Sequence, residues 1–386
     1  LTDPLDLDGV FDACFHEIAD LVAARQAVRN YDWLIQNYMD SFYPDYFTIG
    51  TLGRNAMERG INVLTAGRFG QLSLSYKVVS RFVGLFYDLP LFHHAPHAQW
   101  LLTRLKRMPK HMIQWSLVEF FLFMEKWMTH MVSRDFMMFS SQKDALNDAV
   151  LPIICDVDVS DASDDALMRA VHAACYANWF DIIVPDYDKK MPSMVAEIHG
   201  MLRNAPRPFI GADIMTILND GPKCIVYECD NAGEVMLDLL VVTKLVLRGH
   251  RMVMVGKFES ILNDVTVDDI HRLIQSNAEF LILQQALISG QLRVISANDF
   301  PMVGKYIPLA NDAYKQAARD CDLFWLKGQA NFQTMPVVNH GVFTSRIKYN
   351  KPVMVNLMVK TPIVRYCLDH SNIGDVILGN PLIALV

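Results

Sequence analysis

Asp230 and Asn231 follow the largely apolar run Cys224-Ile225-Val226-Tyr227-Glu228-Cys229, and Glu234 comes three residues after Asn231. Oxygen donors side by side at the start of a helix can hold a hard cation, while the amides of the first turn face an anion. The same residue types also cap helices, so a plain N-cap is the competing reading of Asp230 or Asn231. Glu234 and Asp238 lie four apart, on one face of the expected helix. A like-charge pair at that spacing is unfavourable unless a cation or a hydrogen-bond donor sits close by, so the sequence predicts one.

Three further segments carry related chemistry. In Ile261-Leu262-Asn263-Asp264-Val265-Thr266, Asp264 lies upstream of the capping-box spacing Thr266 to Asp269 and can face Asp230 as a second carboxylate. An ordinary turn at Asn263-Asp264 is the alternative. Leu326-Lys327-Gly328-Gln329-Ala330-Asn331-Phe332 follows another apolar run and offers a cation, a glycine and two amides as an anion cradle. Lys360, in Val359-Lys360-Thr361-Pro362, stands just before a helix whose proline suits the first helical position. Two carboxylates and an amide for a divalent ion, with two lysines and backbone donors, describe a site for a phosphate monoester. An oxygen-rich donor set without Cys or His favours Mg²⁺ or Mn²⁺ over Zn²⁺, with Co²⁺ and Ni²⁺ as further candidates.

These residues need a scaffold that brings strand ends together. From residue 223 the sequence alternates short apolar strands (224–228, 252–255, 292–296, 323–326, 353–357) with helices (231–248, 268–278, 311–319, 361–369). Such alternation predicts a three-layer, Rossmann-like α/β domain with a mainly parallel sheet, whose ligands sit beyond the carboxyl ends of the strands. Upstream, helical spacing dominates: Val10, Phe11, Cys14, Ile18, Leu21 and Val22 form one stripe, and Ile113, Leu117, Phe120, Met124, Trp127 and Met131 form another. The expected division is an all-helical N-terminal domain over 1–148, packed against the sheet edge and neither folding independently nor holding a ligand of its own, and a metal-binding, phosphatase-like α/β domain over 149–386.

Composition narrows the function classes. Across 386 residues, 52% are hydrophobic and 20% charged, enough apolar surface for a folded core. Lys and Arg total 35 against 42 Asp and Glu, and this net charge of −7 argues against a nucleic-acid surface. The greasiest stretch, Met112 to Val132, is interrupted by Gln114, Glu119, Glu125 and Lys126, so it reads as a core helix and no membrane association is expected. Seven scattered cysteines without a CxxC pair indicate neither a disulfide framework nor a structural zinc site, and no signal-peptide pattern opens the sequence. The expectation is a cytoplasmic protein.

In order along the chain, DNAGE after a strand, LNDVT after the next, LKGQANF and VKTP resemble the metal-dependent damage-control phosphatase family, which includes proteins also described as acidic-residue carboxyl methyltransferases. Ala177-Asn178-Trp179-Phe180-Asp181 resembles the family's Asn-x-x-Asp element. The resemblance implies Asp230, Asn231 and Asp264 as metal ligands, Asn178 and Asp181 lining the site, and Glu234 supporting it. It also implies that Lys327, Gly328, Asn331 and Lys360 hold the phosphate. Asp181, Asp230 and Asp264 are the candidate nucleophile or base. Lys360 lacks the preceding Arg-Thr of the methyltransferase-like subgroup.

The function expected is hydrolysis of small phosphorylated metabolites, such as sugar phosphates or damaged cofactor phosphates. The alternatives are S-adenosylmethionine-dependent protein carboxyl methyl transfer, which the related subgroup suggests, and a non-catalytic protein that binds metal or phosphate. Two decoys compete. Asp156-Val157-Asp158-Val159 mimics the nucleophile motif of haloacid dehalogenase-like phosphatases, but helical sequence follows where a Rossmann-like domain should, so an acidic loop with helix caps is expected. His93-His94-Ala95-Pro96-His97 has proline-broken spacing and no acidic partner, and reads as a surface loop.

Overall fold

The structure, a computed structural model, describes residues 6–27, 140–180, 187–204, 214–261, 263–301, 304–305, 309–333, 351–358 and 376–379, with residues 100, 104, 123, 126, 127 and 130 singly. Among the described residues six strands form one sheet: β1 (Cys224–Glu228), β2 (Arg251–Gly256), β3 (Leu292–Ser296), β4 (Leu323–Lys327), β5 (Val353–Met358) and β6 (Val376–Gly379). Their spatial order is β3-β2-β1-β4-β5-β6. The first five are parallel, and β6 pairs antiparallel with β5 through Val355↔Gly379 to Met358↔Val376.

The helices are α1 (Leu7–Ala27), α2 (Ser140–Cys155), α3 (Asp164–Tyr176), α4 (Tyr187–Arg203), α5 (Ile214–Asn219), α6 (Glu234–Leu247), α7 (Val267–Ser276), α8 (Leu281–Ser289), α9 (Asp312–Asp320) and α10 (Gly328–Gln333). The five expected strands are all present, each within a residue of its expected ends. Strand β6 and helix α8 were not anticipated. β6 has only four residues, and α8, LILQQALIS, lacks a side-chain cap hydrogen bond at its start. The expected helix 361–369 lies outside the described residues.

Alternation along each strand sends successive side chains to opposite faces. Ile225, Tyr227, Met252, Met254, Trp325 and Met354 join a core shared with α6. Val226, Val253, Val255, Phe324 and Leu326 pack with Tyr314, Ala317 and Ala318 of α9 on the other face. Every residue of α6 from Glu234 to Val246 is buried. An all-buried helix needs neighbours on all sides, and α6 has β2 on one side with α2, α3 and α8 around it. The expected three layers are therefore thickened on this face, where helices stack two deep.

Helix α2 runs through the expected boundary between 148 and 149 and packs on α6. Of the N-terminal region, α1 is described: Phe11, Cys14 and Ile18 are buried in the same core as Phe123 and Trp127. The Phe11 and Phe123 rings meet edge to face at 5.0 Å, a favourable aromatic geometry. Apart from α1, residues 140–148 and the single residues named above, the expected helical domain, including the 93–97 histidine segment, lies outside the described residues.

Strand order reverses at β1, which has β2 on one side and β4 on the other. At this switch point successive connections leave in opposite directions, so a crevice opens beyond the carboxyl ends of β1 and β4. Glu228 lies opposite Val255 and Leu326 in register, and Lys327 lies opposite Asn356.

Candidate active site

Asp230 and Asn231 leave the end of β1 and enter the loop before α6, both buried. The loop after β2 folds back to meet them. Asn231 and Asp264 form an antiparallel bridge, with the Ala232 amide donating to the Asn263 carbonyl at 2.8 Å and the Val265 amide to the Asp230 carbonyl at 2.9 Å. The base of that loop is closed by Lys257, whose amide donates to the Val265 carbonyl at 2.9 Å and whose carbonyl accepts from Val267 at 3.0 Å. Gly256 makes the closure feasible, because a Cβ there would lie 2.8 Å from the backbone of Thr266 and Val267. Thr266 then caps α7 in the anticipated capping box with Asp269. The polar residues Asp230, Asn231 and Asp264 are thus brought side by side by backbone pairing.

Neither Asp230 nor Asn231 serves as a simple cap. The N-cap of α6 is Gly233, which makes no side-chain cap bond. The Gly233 amide instead donates to Asn147 Oδ1 of α2 at 2.7 Å. Asn231 Nδ2 donates to Asp230 Oδ2 at 3.0 Å and to Glu234 Oε1 at 2.8 Å. Asn178, fully buried in the short 3₁₀ turn Ala177–Trp179, donates from Nδ2 to Asp230 Oδ2 at 3.2 Å and to Glu234 Oε1 and Oε2 at 2.9 and 2.8 Å. Its Oδ1 accepts from the Met358 amide at 3.0 Å. One side chain therefore ties the end of α3 to β1, α6 and β5.

Lys327 is placed differently from the expected phosphate contact. Its ammonium is fully buried at 3.3 Å from Glu234 and 3.2 Å from Asp238, and it donates to the Ala174 carbonyl. This is the cation that the Glu234/Asp238 spacing called for, and the charge is committed to carboxylates. Burial pushes the Asp238 carboxyl up to about 6 against the pull of Lys327, while Tyr227, its phenol pushed well above the usual range by burial and by Asp238, donates to Asp238 Oδ1 at 2.7 Å. Burial alone would lower the Lys327 ammonium, but Asp238 and Glu234 outweigh it and hold it protonated. The pairing keeps two carboxylates and one cation together in a dry interior.

Gly328 follows Lys327 with a φ of +76°, and a Cβ there would lie 1.8–2.5 Å from the Asp230 carboxylate. Its role is to let that carboxylate approach the β4 backbone. Asn331 likewise ties strand ends, since Nδ2 donates to the carbonyls of Cys229 and Lys327 at 2.8 and 2.9 Å. Asp181 and Lys360 lie outside the described residues.

On the opposite face of β1 the sequence reading missed a second group. Glu228 is buried with Lys305, and its other oxygen accepts from Tyr314 at 2.6 Å. Lys305 also donates to the Asn331 carbonyl at 3.3 Å. Lys257 Nζ donates to the Gly304 carbonyl at 3.0 Å and to Asn331 Oδ1 at 3.3 Å, and lies 3.5 Å from Asp264 Oδ2. Glu228, Lys257, Gly304, Lys305 and Asn331 line a recess with Asn298 and the half-exposed Phe258, and Lys257 links that recess to Asp264. A carboxylate inside an otherwise apolar strand was the sequence signal for Glu228; Lys257 and Lys305 gave none.

Among the described residues no group of three or more His, Cys, Asp and Glu side chains is gathered for a metal. The expected set has only two such residues, Asp230 and Asp264, and its third member is an amide. The donor chemistry still fits a hard cation, since carboxylate and amide oxygens suit Mg²⁺ and Mn²⁺. Both Asn231 hydrogen bonds to carboxylates engage Nδ2, which orients its Oδ1 away from them. The side-chain amide of Asn263, fully buried beside Asp264, makes no hydrogen bond among the described residues. The haloacid dehalogenase-like decoy falls away on geometry: Asp156 is engaged by His199 and Arg203, while Asp158 and Asp161 accept from Ser160 and Ser163, the latter capping α3.

No disulfide links the described cysteines, and among the described residues no helix is long and apolar enough to cross a membrane. The damage-control phosphatase PH1575 of Pyrococcus horikoshii is 28% identical over 116 residues, which are 30% of this chain and 36% of that protein. The chain thus spans about a third of that relative's length in the match. The crystal structure of a DUF89 family protein, ph1575 of the same organism, superposes with a TM-score of 0.55 at 19% identity, covering 80% of this chain and 96% of that one, and shares the fold. The family model of the damage-control phosphatase ARMT1-like domain matches residues 77–368, which contain the whole arrangement around Asp230, Asn231 and Asp264. A match over most of the length settles the relationship: this chain belongs to the damage-control phosphatase ARMT1-like family.

Proposed function

We propose that the chain is a divalent-metal-dependent phosphatase acting on small phosphorylated metabolites, sugar phosphates or damaged cofactor phosphates. The observation that carries this reading is the Asn231↔Asp264 bridge, which joins the loops after β1 and β2 and sets two carboxylates and an amide at the switch point of the sheet. Family membership supports phosphate-ester hydrolysis as the reaction class.

Asp230, Asn231 and Asp264 would hold the ion, Mg²⁺ or Mn²⁺ in preference to Co²⁺ or Ni²⁺. When bound, the ion supplies Lewis-acid polarisation of a phosphoryl oxygen. The chain's own residues do the rest. Asn178 and Asn231 hold the Asp230 carboxylate by hydrogen bonds, Glu234 fixes both amides, and Lys327 keeps the buried carboxylate group compensated. Gly328 gives Asp230 its room, Asn331 locks β1 to β4, and Lys360 is assigned to the phosphate. A water attacks phosphorus as the ester P–O bond breaks; its proton passes to a carboxylate and from there to the departing alkoxide, which leaves as the alcohol, and Asp181, Asp230 and Asp264 are the acceptors to compare by pH–rate profiles of their Asn variants.

The test is a panel of phosphate esters assayed for phosphate release with Mg²⁺, Mn²⁺, Co²⁺ or Ni²⁺ and after chelation. Metal-dependent release from a small ester, without S-adenosylmethionine, is expected. Methyl transfer to carboxylates with no phosphate release from any ester would replace the phosphatase reading with the methyltransferase one; binding of metal and phosphate without either reaction would leave a non-catalytic protein.

A further inference from the structure

Among the described residues, Lys327, Lys305 and Lys257 are buried at the strand ends, and their surroundings differ. Lys327 is fully buried against Glu234, Asp238 and the Ala174 carbonyl. Lys305 is paired with Glu228, whose second oxygen is held by Tyr314. Lys257 has a carboxylate only at 3.5 Å, and that carboxylate is Asp264. Its closer partners are two neutral oxygens, the Gly304 carbonyl and Asn331 Oδ1. Lys257 thus has one carboxylate at 3.5 Å where Lys327 has two at 3.3 and 3.2 Å, so less of its charge is compensated.

Lys257 also has the right place. It lines the recess together with Glu228, Asn298, Lys305 and Asn331, and the lining includes Phe258, which is 46% exposed. The backbone bonds that close the Asp264 loop run through Lys257 itself, so ammonium and carboxylate are set by one turn of chain.

We propose that Lys257 is a substrate-binding residue of this site, its ammonium contacting phosphoryl oxygens of the ester at the mouth of the recess beside Asp264. The proposal rests on the phosphatase reading above. The recess has a volume of about 10 Å³, room for one water, so the phosphoryl group would sit at its mouth, where a cation 3.5 Å from Asp264 can reach one of its oxygens. It also opposes a divalent ion at Asp264 through like-charge repulsion. Removing Lys257 should therefore weaken anion binding while leaving metal binding unchanged or tighter, whereas a lysine that merely propped up Asp264 would weaken both.

The experiment is calorimetric titration of wild type, Lys257→Met and Lys257→Arg with Mn²⁺ alone, and then with inorganic phosphate in the presence of Mn²⁺. Losing a charged hydrogen bond of this kind corresponds to roughly a ten- to hundredfold change in affinity. Lys257→Met is expected to lose phosphate affinity by that factor and to keep or gain Mn²⁺ affinity, with Lys257→Arg between it and wild type. Phosphate affinity within about twofold of wild type, or a parallel loss of Mn²⁺ and phosphate, overturns the proposal. Should Lys257→Met fail to fold, a crystal structure of wild type with Mn²⁺ and phosphate decides. An anion oxygen about 3 Å from Lys257 Nζ supports the assignment, and an anion bound away from it refutes it. Wild type that hydrolyses esters while Lys257→Met does so equally well sinks this inference alone; wild type that neither binds phosphate nor hydrolyses any ester sinks the phosphatase reading with it.

Discussion

The two faces of the sheet at the carboxyl end of β1 hold similar residues in different states. On the α6 face, Asn178, Glu234, Asp238 and Lys327 are all fully buried and bonded to one another or to neighbouring backbone. On the α9 face, Glu228, Lys257 and Lys305 are nearly as buried but border a recess. The difference comes from packing. Helices α2 and α3 cover α6 from behind and seal its polar cluster, whereas among the described residues α9 is the helix packed on the other face, where a small recess adjoins Lys257. Lysine at a strand end is thus support on one face and a candidate contact on the other.

The strongest way to break this comparison is to remove the sealed cation. Lys327→Met should leave Glu234 and Asp238 facing each other without compensation, a loss of about 3–5 kcal/mol for one partner of a buried ion pair. Urea unfolding checks it, and the double variant with Asp238→Leu should recover part of the loss. A Lys327→Met protein as stable as wild type would show that the α6 cluster is not held by its charge balance.

Asp264→Ala acts where the two faces meet. We expect metal-dependent phosphate release to fall by at least roughly 10² to 10³, the scale seen on removing one stabilising group from a site. Circular dichroism should show the fold intact, because Asp264 contributes to no core cluster. Gly328→Ala comes next: its Cβ would enter the Asp230 carboxylate at a positive φ. A stability loss of about 1–3 kcal/mol by thermal melting is expected, together with weaker metal binding by calorimetry.

The smallest effect tests the far end of the sheet, away from either face of the site. Burial lowers the His250 pKa, helped by Arg248 and Lys223, and its Nδ1 accepts from the Lys223 amide at 3.0 Å. The folded state therefore favours neutral imidazole. Its contribution is full above the ordinary histidine value of about 6.5 and is lost as pH falls through that value toward the lowered folded one. Urea midpoints at neutral and mildly acidic pH should show this drop, and His250→Gln should flatten it.

Much of the scaffold was legible because it rests on local patterns. Apolar strands of four to six residues alternating with helices predicted a mainly parallel sheet, and β1 and β3 were placed at their observed ends. The Thr266/Asp269 box was readable from spacing alone. The site was legible in part. Asp230, Asn231 and Asp264 announced themselves as polar residues at strand ends, and the Glu234/Asp238 spacing asked for a cation without saying which.

The sequence by itself determined the five parallel strands, the Thr266/Asp269 cap and the list of polar residues at strand ends, since each follows from side chains within a few positions of one another. The tertiary structure alone decided which way those polar groups are spent. Lys327 turned to Glu234 and Asp238, 93 and 89 residues away in sequence, while Lys257 stayed beside Asp264 and the recess. Partner choice among buried charges depends on which helices cover them and exclude water, and that is a property of packing across the whole chain.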